Sequence, residues 1–245
     1  MDGIELLERA CADAWPALVD EPLGQWRMRA AGGFTGRANS TLAVGAPDRP
    51  VTRALYAAGG FAARHGIPAR VQVPVGSPFE AEFTAAGWRS DDQHPGADGV
   101  LVLAGELSAL AGEVPDEVTT TAQPPEDWWP LAVGEPEPTP AQRHVLTAGN
   151  DLRFGLARIT GRLAGVVRGA VVGELLHIGR LAVDPDFRRR GLARAVMAAT
   201  AAWAQGRGAL RYVLQVTENN HAAVALYRDL GATEHHRYRY WVPAT

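Results

Sequence analysis

The chain has 245 residues, of which 47% are apolar, and a formal net charge of −3 at pH 7. That size and composition suit one or two globular domains, and no run of about eighteen apolar residues is present to span a bilayer. A negative balance gives no reason to expect DNA or another polyanion as partner, and because all 24 basic residues are arginine, any phosphate clamp must use arginine or backbone N–H groups.

Residues Met1 to Glu8 form acidic, amphipathic helical text, the opposite of a secretory signal. Cys11 lies in the same helical pattern. A lone cysteine excludes an internal disulfide, suits a reducing cytoplasm, and here reads as a buried small hydrophobe. Gly32-Gly-Phe-Thr-Gly-Arg-Ala-Asn-Ser40 follows, and two readings stay open for it. It could line an acceptor pocket, or it could be a tight strand-to-strand turn that needs glycine backbone angles. Next come a strand at Leu42–Val44, a helix from Val51 to His65, a strand at Arg70–Val75, a helix from Ser77 to Ala86, and then Gly87. The loop Gly45–Pro50 between the first strand and helix contains two prolines, which remove two N–H donors.

From Glu113 to Pro140 the text is rich in Pro, Thr and Glu, and part of it, taken as 113–126, is expected to connect a domain over 1–112 to one over 127–245. Trp128 and Trp129 within the stretch must find packing partners. Phe154–Ile159 and Leu163–Val172 read as strands, and Leu175–Val183 continues them. A helix from Gly191 to Gln205 carries the apolar stripe Leu192, Val196, Ala199 and Trp203, and Gly206 and Gly208 end it. A strand at Tyr212–Val216, a helix from Asn220 to Leu230 and an alternating strand from Glu234 to Val242, near a sheet edge, complete the chain. Both sides of the connection thus run strand, helix, strand, helix, glycine. The first copy is shorter where the second carries Arg188-Arg-Arg-Gly191.

That arginine–glycine loop is the strongest chemical signal. A helix start presents unpaired N–H groups and the positive end of the helix dipole, so this loop can hold a phosphate or pyrophosphate. The arginines add charge, and Gly191 lets the backbone approach closely. Neither the P-loop motif nor the dinucleotide G-x-G-x-x-G occurs here. The seven histidines show no metal-type clustering, so no metal ligand set is expected.

Three segments carry a family resemblance. Arg188 to Ala193 reads R-x-x-G-x-A. Leu181-Ala-Val-Asp-Pro185 precedes it as an apolar strand end. Asn220 to Gly231 reads N-x-x-A-x-x-L-Y-x-x-L-G. Together, over about residues 150–242, they resemble the GNAT superfamily of N-acetyltransferases, and the GFTGRANS segment is similar to a signature of an actinobacterial tandem-like GNAT subfamily. The resemblance implies a mixed α/β (α+β) chain, with a C-terminal GNAT acyl-CoA N-acyltransferase fold and a degenerate GNAT-like N-terminal half. It implies acetyl transfer from acetyl-CoA, as co-substrate, directly to an amine. Backbone groups of Leu181, Ala182 and Val183 would pair with pantetheine. Arg188, Arg189, Arg190, Gly191, Leu192, Ala193 and Arg194 would surround the pyrophosphate. Asn220 would bond the pantetheine arm or simply cap its helix. Tyr227, two helical turns further on, would stand near the sulfur as general acid, or be a core tyrosine.

The base is less defined. The position where one branch of the family keeps a glutamate is Gln215, which takes no proton. Counting back from Arg188 puts His177 where another branch keeps one, and Glu174 or a water relay are the alternatives. His177 could equally be a packed core histidine. The acceptor stays open among a small amine, an aminoglycoside-like compound, an amino acid and a peptide N-terminus. No nucleic-acid or membrane partner is expected, and the protein would be a cytoplasmic monomer or homodimer. A non-catalytic acyl-CoA sensor or scaffold is the other reading, prompted by Gln215.

Overall fold

Two parallel strand pairs, each bridged by one helix, organise the chain. The computed structural model describes residues 3–94, 96–97 and 99–244; Met1 and Asp2 of the expected N-terminal helix therefore lie outside the described residues. In chain order the elements begin with α1 (Ile4–Asp13), β1 (Val19–Leu23), β2 (Trp26–Ala30), β3 (Thr41–Leu42), α2 (Val51–Arg64), β4 (Val71–Pro74), α3 (Phe79–Ala85) and β5 (Trp88–Ser90). They continue with β6 (Val100–Glu106), β7 (Val118–Thr121), α4 (Trp128–Val133), α5 (Pro140–Thr147), β8 (Leu152–Ile159), β9 (Arg162–Val172) and β10 (Leu175–Val183). The remainder is α6 (Leu192–Gln205), β11 (Arg211–Thr217), α7 (His221–Asp229) and β12 (Thr233–Pro243). No described helix is long and apolar enough to cross a membrane.

The chain divides into two compact units. The first holds the residues up to Val102, together with Val216–Val224 and the segment from Glu234 onward. Its strands lie in the order β1-β2-β3-β4-β12, with β5 also on β12, and β3 and β4 run parallel with α2 between them in sequence. One face is apolar. Trp26, Met28, Val71 and Val73 pack with Leu55 and Phe61 of α2 and Phe83 of α3. Trp26 meets Phe79 and Phe83 edge-on at 5.2 and 5.9 Å, the arrangement that aromatic quadrupoles favour.

GFTGRANS joins β2 to β3, so the turn reading accounts for much of it. Asn39, 2% exposed, is its internal brace. Its Oδ1 accepts from the amides of Ala31 (2.8 Å) and Gly33 (2.9 Å), and its Nδ2 donates to the carbonyls of Phe34 (2.8 Å) and Thr35 (2.9 Å). Gly33 takes the left-handed conformation the turn requires. Cys11 is buried, and desolvation pushes its thiol well above the ordinary range, in keeping with a packing role.

The second unit comprises Leu103–Gln215 and Ala225–Thr233. Its strands run β11-β10-β9-β8-β7; β10 and β11 are parallel and flank α6 in sequence, while the other pairs are antiparallel. Helix α6 lies across β8 and β9 on one face. On the other face Trp128 of α4 meets Phe154 of β8 edge-on at 5.3 Å, and Arg168 of β9 donates from Nε to the carbonyl of Leu146 in α5. Trp128 and Trp129 are both fully buried.

Three features differ from the reading of the sequence. The stretch 113–126 contains β7, which pairs with β8 within the second unit, because its Val118-Thr-Thr-Thr121 is β-branched text that a count of Pro and Glu hides. The strand placed near an edge, β12, has β4 along Tyr238–Trp241 and β5 along Trp241–Pro243 as neighbours. It completes the sheet of the first unit, so the compact units interleave along the chain instead of following bounds at 112 and 127.

Replacing Asn39 by Ala removes the brace and leaves buried amides and carbonyls of the turn unpaired. We expect Asn39→Ala to lower unfolding free energy by about 2–4 kcal/mol, read as a lower midpoint in urea at unchanged slope.

Candidate active site

Hydrogen bonding between β10 and β11 is short. The parallel register covers Leu175–Ile178 against Arg211–Leu214 and goes no further. Burial follows pairing: the first four residues of β10 are buried and the next five, Gly179–Val183, are half-exposed. On its other side β10 stays on β9, with Ala182 opposite Val166 and Val183 opposite Gly165. Between Gly179 and Ala182 it spends one residue more than β9, a β-bulge, and Arg180 within it adopts a φ of 55°. The result is a strand end with one edge paired and one edge open, its amides and carbonyls available to an extended ligand.

The bulge was not foreseen. A bulge depends on the partner strand's register, and the only hint in the sequence is an arginine set between Gly179 and Leu181 in apolar text. Arg180 donates from its guanidinium to the carbonyl of Ala132, which ties the bulge to α4.

Past Val183 the chain turns sharply. Asp184 accepts from the amide of Asp186 (3.0 Å), and its own amide donates to Ala164 (2.9 Å). Phe187, buried, is flanked by the guanidiniums of Arg162 and Arg190 at 5.0 and 5.3 Å from its ring, a contact that orders the turn. Arg188, Arg189, Arg190 and Gly191 are exposed. Gly191 caps α6 with φ 77°. The first amide with an acceptor in the helix is that of Ala195, bonded to Gly191 (3.1 Å). The amides from Arg189 to Arg194 thus have no acceptor among the described residues, as a helix start dictates. These exposed donors sit at the positive end of a fourteen-residue helix, beside three guanidiniums. Arg188 and Arg190 also brace the turn, bonding the carbonyls of Val183 and Asp186, while Arg194 pairs with Asp229 at 3.4 Å.

On α7, Asn220 caps the helix, its Oδ1 accepting from the amide of Ala223 (3.3 Å). Tyr227 is mostly buried and forms no side-chain hydrogen bond among the described residues, and burial pushes its phenol up to about 12. The core tyrosine of this unit is another one: Tyr212 donates its hydroxyl to the carbonyl of Leu230 (2.9 Å). Gln215 is the first residue of β11 beyond its pairing with β10. His177 is fully buried in β10, opposite Ala170 on β9 and Val213 on β11. The register puts it on the Arg168 face, away from α6. Glu174 stands in the turn before β10, seven residues or roughly 23 Å of strand from Leu181. No group of His, Cys, Asp and Glu suited to a metal occurs among the described residues.

In the corresponding loop of the first unit, Gly45–Pro50, the amide of Ala46 is occupied. Gln25 accepts from the amide of Ala46 through Oε1 (2.7 Å) and donates its own amide to the Ala46 carbonyl (2.8 Å). Trp26 Nε1 takes the Gly45 carbonyl (3.0 Å). Pro47 and Pro50 bring no N–H to that loop.

The chain is also similar to known proteins in sequence and fold. A family model described as "Probable histone acetyltransferase Rv0428c C-terminal" matches residues 2–241. The uncharacterized N-acetyltransferase YobR of Bacillus subtilis (strain 168) is 26% identical over 248 residues, covering 96% of this chain and 98% of YobR. The ribosomal protein bS18-alanine N-acetyltransferase of Escherichia coli (strain K12) is 35% identical over 94 residues, 38% of this chain and 63% of that enzyme. Among solved structures, a GCN5-related N-acetyltransferase from Kribbella flavida aligns with a TM-score of 0.70 at 16% identity, covering 100% of this chain and 97% of that one. A tandem GNAT protein from the clavulanic acid biosynthesis pathway aligns with a TM-score of 0.57 at 17% identity, covering 82% and 74%.

If the α6 amides form an anion site, a side chain at Gly191 both strains the left-handed cap and blocks approach. Gly191→Val should weaken CoA binding by about tenfold or more in isothermal titration, while the unfolding free energy from urea melts falls by only about 1–2 kcal/mol.

Proposed function

The chain belongs to the family described as probable histone acetyltransferase Rv0428c C-terminal, has the GNAT fold and is an acyl-CoA N-acyltransferase, and we propose that it carries an acetyl group from acetyl-CoA directly to an amine. The observation that carries this reading is the open edge of β10 leading straight into the unpaired amides of α6. A pantetheine arm has the amide spacing to add to Leu181–Val183 like a further strand. The diphosphate then meets the amides of Arg189 to Arg194, where Gly191 and Ala193 are small enough to allow contact and Arg188–Arg190 supply charge.

The reaction needs no covalent enzyme intermediate. The neutral amine attacks the thioester carbon, a C–N bond forms, and the carbonyl oxygen becomes an oxyanion. A backbone N–H at the bulged end of β10 donates to it. Collapse breaks the C–S bond, and the nitrogen loses its proton. Tyr227 is the donor to the departing sulfur. With its phenol pushed up to about 12, it keeps its proton throughout the neutral range. Full transfer to a thiolate, whose acid has a pKa near 8.5, runs uphill, so Tyr227 gives its proton only as another reaches it from the nitrogen side.

His177 has no exposed surface through which to meet an amine. We therefore assign it a positioning role inside the sheet and route the amine proton through water. The acceptor is an amine on a small molecule or peptide; one relative is named for acetylating an alanine of a ribosomal protein. A purely sensory acyl-CoA protein, the reading prompted by Gln215, gives way to the activity class of the family.

Thiol release from acetyl-CoA, followed with a broad amine panel, tests the proposal. Tyr227→Phe should lower kcat by about 10²–10⁴ with KM for acetyl-CoA altered no more than a few-fold. The wild-type rate should show no falling limb from Tyr227 ionisation until the pH approaches 12. Full kcat in Tyr227→Phe removes the phenol from the mechanism, and an absence of acetyl-CoA binding in calorimetry removes the whole reading. His177→Gln should lower the melting temperature and leave kcat within a few-fold; a loss comparable to that of Tyr227→Phe would restore the histidine as base.

A further inference from the structure

The first unit buries a polar face that the acetyl-transfer reading does not use. Opposite its aromatic core, the sheet presents Arg29 of β2, Gln72 of β4, and His236, Tyr238 and Tyr240 of β12, all buried. Tyr240 lies opposite Gln72 in the ladder, and the alternation along β12 brings 236, 238 and 240 to one side. Glu8 of α1, 1% exposed, faces them. Both its oxygens are engaged: Oε1 with His236 Nε2 (2.8 Å) and Oε2 with Gln72 Nε2 (2.6 Å).

Arg29 is therefore left with a neutral partner. Its Nη2 donates to Gln72 Oε1 at 3.1 Å, and its Nε–H, fully buried, has no acceptor. Burial lowers the guanidinium pKa, while Tyr240, Asp20 and Glu8 act to raise it. Ser40 repeats the situation, since its Oγ is buried without a partner. The β2–β3 register pairs Arg27 with Leu42 and Met28 with Thr41; continued one step past its last pair, it brings Ser40 alongside Arg29. Side chains so placed stand roughly 5 Å apart at Cβ. A second cation, Arg37, lies 4.3 Å over the Trp15 ring and acts electrostatically on both Tyr240 and Cys11. A buried charge and a buried hydroxyl, each with an unused donor, are costly unless an acceptor completes them.

We propose that Arg29 and Ser40 form a second ligand site within the first unit, which binds the carboxylate of a small molecule. The Arg29 Nε–H and the Ser40 Oγ–H each donate to one carboxylate oxygen. The single negative charge offsets the guanidinium. Two donors and the nearby Glu8 carboxylate favour a monoanionic, two-oxygen group over phosphate, which brings more charge and more acceptors than the site can satisfy.

Calorimetric titration of the full chain with sodium acetate against sodium chloride at matched ionic strength tests this, with and without saturating CoA. Wild type should bind acetate saturably in both cases. Ser40→Ala, which removes one hydroxyl and whose folding is verified by its melting curve, should bind about tenfold more weakly or worse. Inorganic phosphate should bind more weakly than acetate. Equal acetate binding by wild type and Ser40→Ala, competition by CoA, a preference for phosphate, or no saturable heat would each overturn the proposal. So would a crystal grown in acetate that shows only water between Arg29 and Ser40. These readouts require no turnover, so their failure is separable from failure of the acetyl-transfer reading.

Discussion

Backbone pairing in the second unit is rationed, and the proposed chemistry depends on where that pairing ends. For four residues β10 shares its amides with β11; beyond Ile178 it keeps only β9. A buried strand end with unmet amides would be costly. Here the end is half-exposed, with a bulge between Gly179 and Ala182 ahead of the sharp corner at Asp184. The corner then delivers the chain into α6, whose first amides are unmet for a different reason, the geometry of a helix start. Open donors of two origins thus lie in sequence along one short path. An extended ligand with a diphosphate beyond its arm is the one proposed for that path, and the packed turn around Phe187 holds the path in shape.

Much of this was legible in the residues. Apolar runs and their periods located β8, β9, β10 and α6 to within a few positions, and Gly191 with its three arginines marked the helix start. What stayed hidden depends on partners. The bulge at Gly179–Ala182 exists only relative to β9, and the parting of β10 from β11 only relative to a strand thirty residues away. The placement of β12 was obscured for the same reason, since alternation shows that one face is buried but not between which neighbours. His177 illustrates a further limit. Its sequence position fits a base, and its complete burial comes from strands on both sides that a local reading does not see.

The two units show how one strand–helix–strand plan can serve different ends. In the second unit the loop before the crossover helix is exposed and rich in donors. In the first, Gln25 reaches from the β1–β2 turn into that loop and satisfies Ala46 in both directions. The first unit's polar groups are instead gathered beneath α1, around Glu8 and Arg29, on the sheet face away from the aromatic core.

The position of β12 bears on how the protein is made. The ribosome delivers β4 and β5 long before the strand that joins them; between Val102 and Glu234 lie about 130 residues, which take roughly 7–26 seconds to synthesise. Through that interval the second unit can collapse on its own contacts, while the nascent first unit carries a bare edge along Val71–Pro74. Such an edge invites pairing with other chains. Vectorial synthesis therefore favours completion of the second unit first, the first closing only when β12 arrives.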